Sequence, residues 1–318
     1  MQIDVFNGDA DGICALLQLR LAQPVKSQLV TGVKRDITLL DDVKVQQGDQ
    51  VTVLDISFKK NRPSVERILA EGASIFYVDH HQPGEIPEHK NLKTIINTDA
   101  NICTSLLVNE YLQDKYGEWA VTAAFGDNLL DSAKKVAFSL SLSENQIQQL
   151  KMLGTCINYN SYGTSIGDLH FAPDLLFKEL LPYSSPFDFI ADNVEVYEKL
   201  LADYAEDMSL VDHLTPEHET DKAAVYLLPD EIWSRRINGV FSNELANNNP
   251  DKAHAVVSFN AENGYQINVR APLNNKTGAD ELCGSFPTGG GRKAAAGINH
   301  MEINDLPSFI SEFEAKYA

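Results

Sequence analysis

The sequence predicts an α/β protein of two domains, an N-terminal one built on a parallel sheet and a smaller C-terminal α/β one. Three observations predict it. Strand-length apolar runs alternate with helical ones in the first part of the chain, the middle turns almost wholly helical, and an α/β alternation restarts after a polar stretch at Pro216, Glu217, His218 and Glu219. The expected division is 1–185 for the first domain, 186–215 for a helical linker and 216–318 for the second.

Taken in order, the β-branched and aromatic run at 2–6 reads as a strand, and the apolar stretch 13–21 as a helix. Residues 28–32 end on Gly32 and read as a short strand. Gln-Val-Thr-Val-Leu-Asp-Ile at 50–56 is rich in β-branched residues and reads as a strand, the stretch 63–71 opens on Pro63 as a helix often does, and 73–78 returns to strand. Such βαβ repetition implies a parallel sheet covered by helices. From 103 to about 159 the pattern is mostly helical, and 187–210 reads as one long helix. Beyond it, strands are expected at 223–228, 253–259 and 265–270 and helices at 233–245 and 306–317. No internal repeat or low-complexity segment is present.

The ends of the predicted N-terminal strands carry the chemistry. Val5-Phe6 runs into Asn7-Gly8-Asp9-Ala10-Asp11-Gly12, the strand at 50–56 carries Asp55, and the one at 73–78 runs into Asp79-His80-His81. Side chains at successive strand ends of a parallel sheet gather around a ligand. Several converging carboxylates repel one another unless a cation neutralises them. Carboxylates with one or two imidazoles suit Mn²⁺ or Mg²⁺, whereas structural zinc recruits thiolates. Cys14, Cys103, Cys156 and Cys283 have no paired spacing, so they read as small core residues of a reducing compartment.

Composition narrows the class. A formal charge of -19 argues against a protein that grips long duplex nucleic acid, which needs a basic surface, and leaves room for a small anionic substrate in a local basic pocket. The start Met1-Gln2-Ile3-Asp4 has no basic segment followed by an apolar one, and no run approaches the roughly 20 apolar residues of a membrane span, so a soluble cytoplasmic protein is expected. Oligomerisation stays open.

Five ordered motifs carry a resemblance. Asn-Gly-Asp-Ala-Asp-Gly at 7–12, Leu-Asp-Ile-Ser at 54–57, Val-Asp-His-His at 78–81, Phe-Gly-Asp-Asn at 125–128 and Gly-Gly-Gly-Arg-Lys-Ala-Ala-Ala-Gly at 289–297 resemble those of the DHH phosphoesterase superfamily, the last being similar to its DHH-associated C-terminal domain. The resemblance implies metal-dependent hydrolysis of phosphodiesters or phosphomonoesters in small nucleotides or very short oligonucleotides, as in nano-RNases and 3'-phosphoadenosine 5'-phosphate phosphatases. It implies two ions, Mn²⁺ first and Mg²⁺ or Co²⁺ as substitutes. Asn7, Asp9 and Asp55 would hold one; Asp11, Asp55, His80 and Asp127 would hold the other. Asp55, His80 and His81 would form the catalytic group, with His81 facing the substrate phosphate and Asp79 orienting the histidines. Two cations roughly 3.5–4 Å apart activate a water and stabilise phosphoryl charge, so no side-chain nucleophile is required.

On the substrate side, the resemblance implies that the smaller C-terminal domain binds substrate, with a cleft between the two domains, and assigns Arg270, Gly289, Gly290, Gly291 and Arg292 to phosphate. Three glycines let backbone N–H groups approach an anion, a helix starting near Lys293 would add its positive end, and a guanidinium fork matches phosphate oxygens. Two residues depart from the pattern. Asn7 stands where His or Asp is usual, which weakens one metal position, and Arg292 stands where His is usual.

Plainer roles compete at several positions. Asp9 and Asp11 could cap a helix, as could Asp127, and the glycine run could be only a turn. Lys59, Lys60 and Arg62 read as a solvated face. His89, His170, His213, His218, His254 and His300 have no partner spacing that suggests a ligand. Two other functions remain open: hydrolysis of inorganic pyrophosphate or polyphosphate, against which the glycine motif speaks, and a nucleotide-binding regulator weakened in catalysis. RecJ-type exonucleases share the motifs but are usually larger and carry an added nucleic-acid-binding module, so processive digestion of long strands is not expected of so acidic a chain.

Overall fold

A computed structural model describes residues 1–318. They form two compact units, one of residues 1–161 and 165–202, the other of residues 162–164 and 203–318.

The first unit opens with β1 (Gln2–Phe6), α1 (Ala10–Ala22), β2 (Gln28–Val30), β3 (Gln50–Leu54), α2 (Phe58–Ala70), β4 (Ser74–Asp79) and β5 (Leu92–Ile96). The strands make one sheet in the order β2-β1-β3-β4-β5, parallel throughout. Alternation sorts the faces. Ile3, Val5, Val51, Val53, Ile75 and Tyr77 pack with Phe58, Val65 and Ile68 of α2 in one core. Because every strand runs the same way, Asn7, Asp55 and Asp79 emerge at one edge from the neighbouring β1, β3 and β4.

Two helix starts and one strand differ from expectation in this part of the chain. Helix α1 starts at Ala10 because Asp9 caps it, accepting hydrogen bonds from the Asp11 and Gly12 N–H groups. Helix α2 starts at Phe58, with Pro63 inside it. Phe58 is fully buried and its N–H donates to Asp79 at 3.3 Å, so long-range contacts start the helix ahead of the proline. Strand β5 was not foreseen: it lies at the sheet edge, half-buried and carrying Lys93, so its apolar signal is weak.

The helical portion comprises α3 (Thr104–Tyr111), α4 (Gly117–Gly126), α5 (Leu130–Ser139), α6 (Glu144–Tyr159), α7 (Pro173–Leu180), α8 (Pro186–Asp192) and α9 (Val194–Ser209). A Cβ on Gly126 would lie 2.5 Å from the Ala10 Cβ and 2.7 Å from the Gly154 carbonyl oxygen. That close crossing sets Asp127, the next residue, beside the start of α1. The single long helix expected over 187–210 is two helices, broken at Asn193 (φ -102, ψ 56).

The second unit contains β6 (His218–Glu219), β7 (Ala223–Leu227), α10 (Ile232–Asn248), β8 (Ala253–Phe259), β9 (Tyr265–Arg270), α11 (Ala279–Gly284), β10 (Gly289–Gly291), β11 (Ala295–Met301) and α12 (Leu306–Tyr317). Its mixed sheet has the order β10-β11-β9-β8-β7-β6, with β7 and β8 parallel and the other pairs antiparallel. Ala255, Val257, Ile267, Val269 and Ile298 pack against Phe309 and Phe313 of α12. No helix begins at Lys293. Gly289–Gly291 is instead an edge strand that turns through Arg292 into β11, with the Arg292 N–H donating to the Ala295 carbonyl at 2.8 Å. No helix in the chain is long and apolar enough to cross a membrane.

Candidate metal centre

The three sheet strands that end side by side deliver the acidic side chains. Asn7 follows β1, and its Oδ1 accepts from the Asp9 N–H at 3.2 Å while its Nδ2 donates to the Lys34 carbonyl at 3.1 Å. Asp9 caps α1 through Oδ1, at 3.0 Å from both the Asp11 and Gly12 nitrogens, and its Oδ2 is paired with the Lys34 ammonium. Asp11, one turn into α1, accepts N–H groups from Thr104 and Ser105 at 2.7 Å each and thereby caps α3 from a distance. Asp55 has φ 57, a left-handed conformation that Asp tolerates better than most residues and that turns its carboxylate away from the continuing strand direction. Its Oδ1 accepts from the Thr104 hydroxyl at 3.2 Å.

The histidines are fixed by the chain around them. His80 Nδ1 lies 2.8 Å from the Ile102 carbonyl, which can only accept, so Nδ1 carries a proton and Nε2 is the ring nitrogen left to face the carboxylates. That Nε2 lies 3.2 Å from Asp55 Oδ1 and 3.9 Å from Asp11 Oδ2. Asp79 is fully buried, and its Oδ1 accepts from the N–H groups of His80 and His81 and from His81 Nδ1 at 2.7 Å. The side chain of His81 is 34% exposed. Asp55, His80 and His81 each bring a ligand atom within 4.8 Å of one another.

Asp11, Asp55, His80 and His81 are therefore gathered, with Asp9 and Asn7 beside them. Asp127 is tied to the group through Lys34, whose Nζ lies 3.9 Å from Asp127 Oδ1. Burial, and then the Asp55 charge, pushes the Asp11 carboxyl up to about 8. Asp55 is driven well above the usual carboxylate range by burial and then by Asp9. Asp79 goes the other way: burial would raise it, but the His81 charge and hydrogen bonds outweigh that and hold it below its ordinary value.

This donor set fits a hard or borderline divalent ion: buried carboxylate oxygens repel one another, and an imidazole nitrogen is aimed between them. Thiolates are not on offer. Burial, and then the Asp11 charge, pushes the nearby Cys14 and Cys103 thiols well above their ordinary range.

In the second unit, Arg270 ends β9, with Nε donating to Asn243 Oδ1 at 2.7 Å and Nη1 to the Val269 carbonyl at 3.1 Å. It is register partner of Ala295, and Gly291 is partner of Ala296, so Arg270 and the Arg292 turn occupy the same end of that sheet. Two of the three glycines are demanded by packing as well. A Cβ on Gly289 would fall 1.7 Å from the Cys283 carbonyl oxygen, and Gly291 has φ 145; Gly290 alone faces open space.

Sequence reasoning missed Lys34, Thr104 and the Ile102 carbonyl. Thr104, which acts through its N–H and its hydroxyl, meets Asp11 and Asp55 only across a long stretch of sequence, and Ile102 acts through its backbone oxygen and leaves no side-chain signature. Lys34 left one: the basic pair Lys34-Arg35 follows the β2 strand at the same sheet edge as the acidic motifs.

Residues 4–138 match a family model described as DHH family, N-terminal domain. No curated protein matches the chain. Among solved structures the fold is similar to exonuclease RecJ bound to manganese, at 18% identity and TM-score 0.57 over 99% of this chain and 89% of that one. It is similar to RecJ from Thermus thermophilus in complex with Mn²⁺, at 18% identity and TM-score 0.65 over 99% of this chain, which spans 51% of that protein. It is also similar to PggH, a pGpG-specific phosphodiesterase from Vibrio cholerae, at 14% identity and TM-score 0.53, each chain being covered to 99%. The acidic strand ends and the Asp79-His80-His81 motif all lie within the matched residues 4–138, so this part of the chain is similar to the DHH N-terminal domain.

Proposed function

We propose that the protein is a metal-dependent phosphoesterase acting on small phosphorylated nucleotides or very short oligonucleotides. The observation that carries this reading is the convergence of Asp11, Asp55 and His80, with His80 Nε2 turned toward both carboxylates. Asp11, Asp55, His80 and Asp127 form one cation position, and Asn7, Asp9 and Asp55 a second. Divalent ions supply positive charge for phosphoryl oxygens and activate water.

The remaining work falls to the chain itself. Ile102 keeps His80 in the tautomer that presents Nε2. Asp79 orients His81 through Nδ1, leaving the partly exposed Nε2 edge to hydrogen-bond a substrate phosphate oxygen. In the second unit, the Arg270 and Arg292 guanidinium groups and the Gly289–Gly291 edge strand supply donors for a phosphate end. A charge of -19 disfavours long polyanions, and PggH, which is similar over nearly the full length of both chains, is specific for a dinucleotide. Four free, buried cysteines suit a cytoplasmic protein.

The test is a substrate panel with Mn²⁺, Mg²⁺ and Co²⁺ in turn: pGpG and other dinucleotides, a nucleoside 3',5'-bisphosphate, pyrophosphate and a long single strand. Metal-dependent turnover of the dinucleotides or the bisphosphate, far above the long strand, is the expected result. Preferential turnover of pyrophosphate would move the protein to another branch of chemistry, and binding without turnover would make it a nucleotide-binding regulator.

A further inference from the structure

Lys34 stands inside the acidic centre and is held there from several directions. Its N–H donates to the Ser161 carbonyl at 2.9 Å, and its own carbonyl accepts from Asn7 Nδ2 at 3.1 Å. Its ammonium is paired with Asp9 Oδ2, donates to Asn158 Oδ1 at 3.1 Å and lies 3.9 Å from Asp127 Oδ1. The side chain is only 24% exposed. An ammonium so placed carries one positive charge between two of the carboxylates that the centre must neutralise.

Asn7 explains why it can be there. The amide does two jobs at once, accepting from the Asp9 N–H through Oδ1 and donating to the Lys34 carbonyl through Nδ2. A carboxylate at position 7 could do only the first, and it would meet the Lys34 carbonyl oxygen with a second acceptor. Asn7 therefore trades a negative metal donor for the bond that anchors the Lys34 loop. The two residues act as one unit, the neutral side chain fixing the backbone of the charged one.

The two cation positions then differ. Around Asp11, Asp55 and His80, the Nε2 nitrogen lies beside carboxylate oxygens that accept from N–H and hydroxyl groups, with no lysine or arginine among those donors. Around Asn7 and Asp9, a fixed cation is already in hydrogen-bond contact with the carboxylate. An ion arriving at Asp9 would have to displace the ammonium and meet its repulsion, while finding a neutral donor at position 7.

Resting on the metal-dependent reading above, we propose that Lys34 is the resident cation of the Asn7-Asp9 position, so that the protein works with one divalent ion, at Asp11, Asp55 and His80, and one lysine. Lys34 thus neutralises Asp9 in place of a second metal and leaves a single Lewis-acidic ion, at the position that Asp127 completes, for the substrate.

Metal stoichiometry tests this directly. The full chain, stripped with chelator and desalted, is titrated with Mn²⁺ by calorimetry, and the ions retained after gel filtration are counted by elemental analysis. The wild type is expected to hold one ion. Lys34→Met is expected to admit a second, and Lys34→Met combined with Asn7→Asp to bind that second ion at least tenfold more tightly. Lys34→Arg keeps the charge and should stay at one. Should Lys34→Met fail to fold, Lys34→Gln, whose amide can still donate to Asp9 and Asn158, serves in its place. Two ions of comparable affinity in the wild type, or one ion in every neutral variant, would overturn the proposal. A folded wild type that binds no Mn²⁺ removes the metal-dependent reading as well, whereas the expected stoichiometries with an inactive substrate panel leave the lysine assignment standing and sink only the substrate class.

Discussion

Helix α1 touches two groups of buried carboxylates and treats them differently. Near its end, Arg20 clamps Asp4 of β1, Nε to Oδ2 at 2.7 Å and Nη2 to Oδ1 at 2.6 Å, with Gln2 and Thr52 completing the set. Near its start, Asp11 and Asp55 are equally buried and have N–H and hydroxyl donors but no guanidinium or ammonium in the same close contact. A buried carboxylate that the fold neutralises itself is structural. One left to repel its neighbour is poised for a cation from outside. Lys34 marks the border between the two regimes, a protein-borne cation reaching into the half that otherwise waits for metal.

The largest effect should come from Asp55. Asp55→Asn keeps a side chain that tolerates the φ of 57 and removes the charge. Hydrolysis is expected to fall by about a thousandfold, the equivalent of several kcal/mol of lost metal-borne stabilisation, and retained Mn²⁺ with it. Thermal stability in chelator should not fall above about pH 8, where the ionised carboxylates would otherwise repel one another. Retained activity together with full metal content would erase the contrast between the two carboxylate groups.

Next in size is the other group. Arg20→Leu leaves the Asp4 carboxylate buried and unpaired, which typically costs about 3–5 kcal/mol. Denaturant unfolding should show that loss, while Mn²⁺ stoichiometry of the folded fraction stays that of the wild type. A variant of unchanged stability, or one that loses metal selectively, would show that the pair is not the separate structural device described above.

Much of this was legible in the sequence because it depends on local pattern. The strands β1, β3 and β4 announce themselves by β-branched residues, and a parallel sheet then brings Asn7, Asp55 and Asp79 to one edge whatever lies between them. What was illegible depends on contacts far along the chain. The start of α2 at Phe58 is set by Asp79, the tautomer of His80 by a carbonyl at Ile102, and the charge balance of Asp9 by Lys34 from another loop. The expected helix at Lys293 failed for a different reason. Small residues at 289–297 permit either a helix start or a tight hairpin, and pairing of β11 with β9, joined to the contact of Gly289 with Cys283, selects the hairpin.

The smallest effect, and the one that separates the two groups most directly, is the response of stability to pH. In the unfolded chain Asp11 releases its proton near 3.8, whereas in the fold burial and the Asp55 charge hold it up to about 8. Asp55 is raised in the same direction. Between those limits the native state binds more protons than the unfolded one, so metal-free stability must fall as pH rises from about 4 to about 8. Asp79, held below its ordinary value, contributes in the opposite sense and only at more acid pH. A divalent ion reverses the slope, because it binds the deprotonated carboxylates and competes with protons for them. The melting temperature in chelator is therefore expected to drop by several degrees between pH 5 and pH 8, at roughly 2–4 °C per kcal/mol, and the drop should vanish or invert with Mn²⁺. Arg20→Leu should lower both curves without changing the difference between them. Asp55→Asn should flatten the chelator curve and remove the response to Mn²⁺. Equal slopes with and without the ion would mean that the carboxylates at the start of α1 are balanced by the protein alone, as Asp4 is.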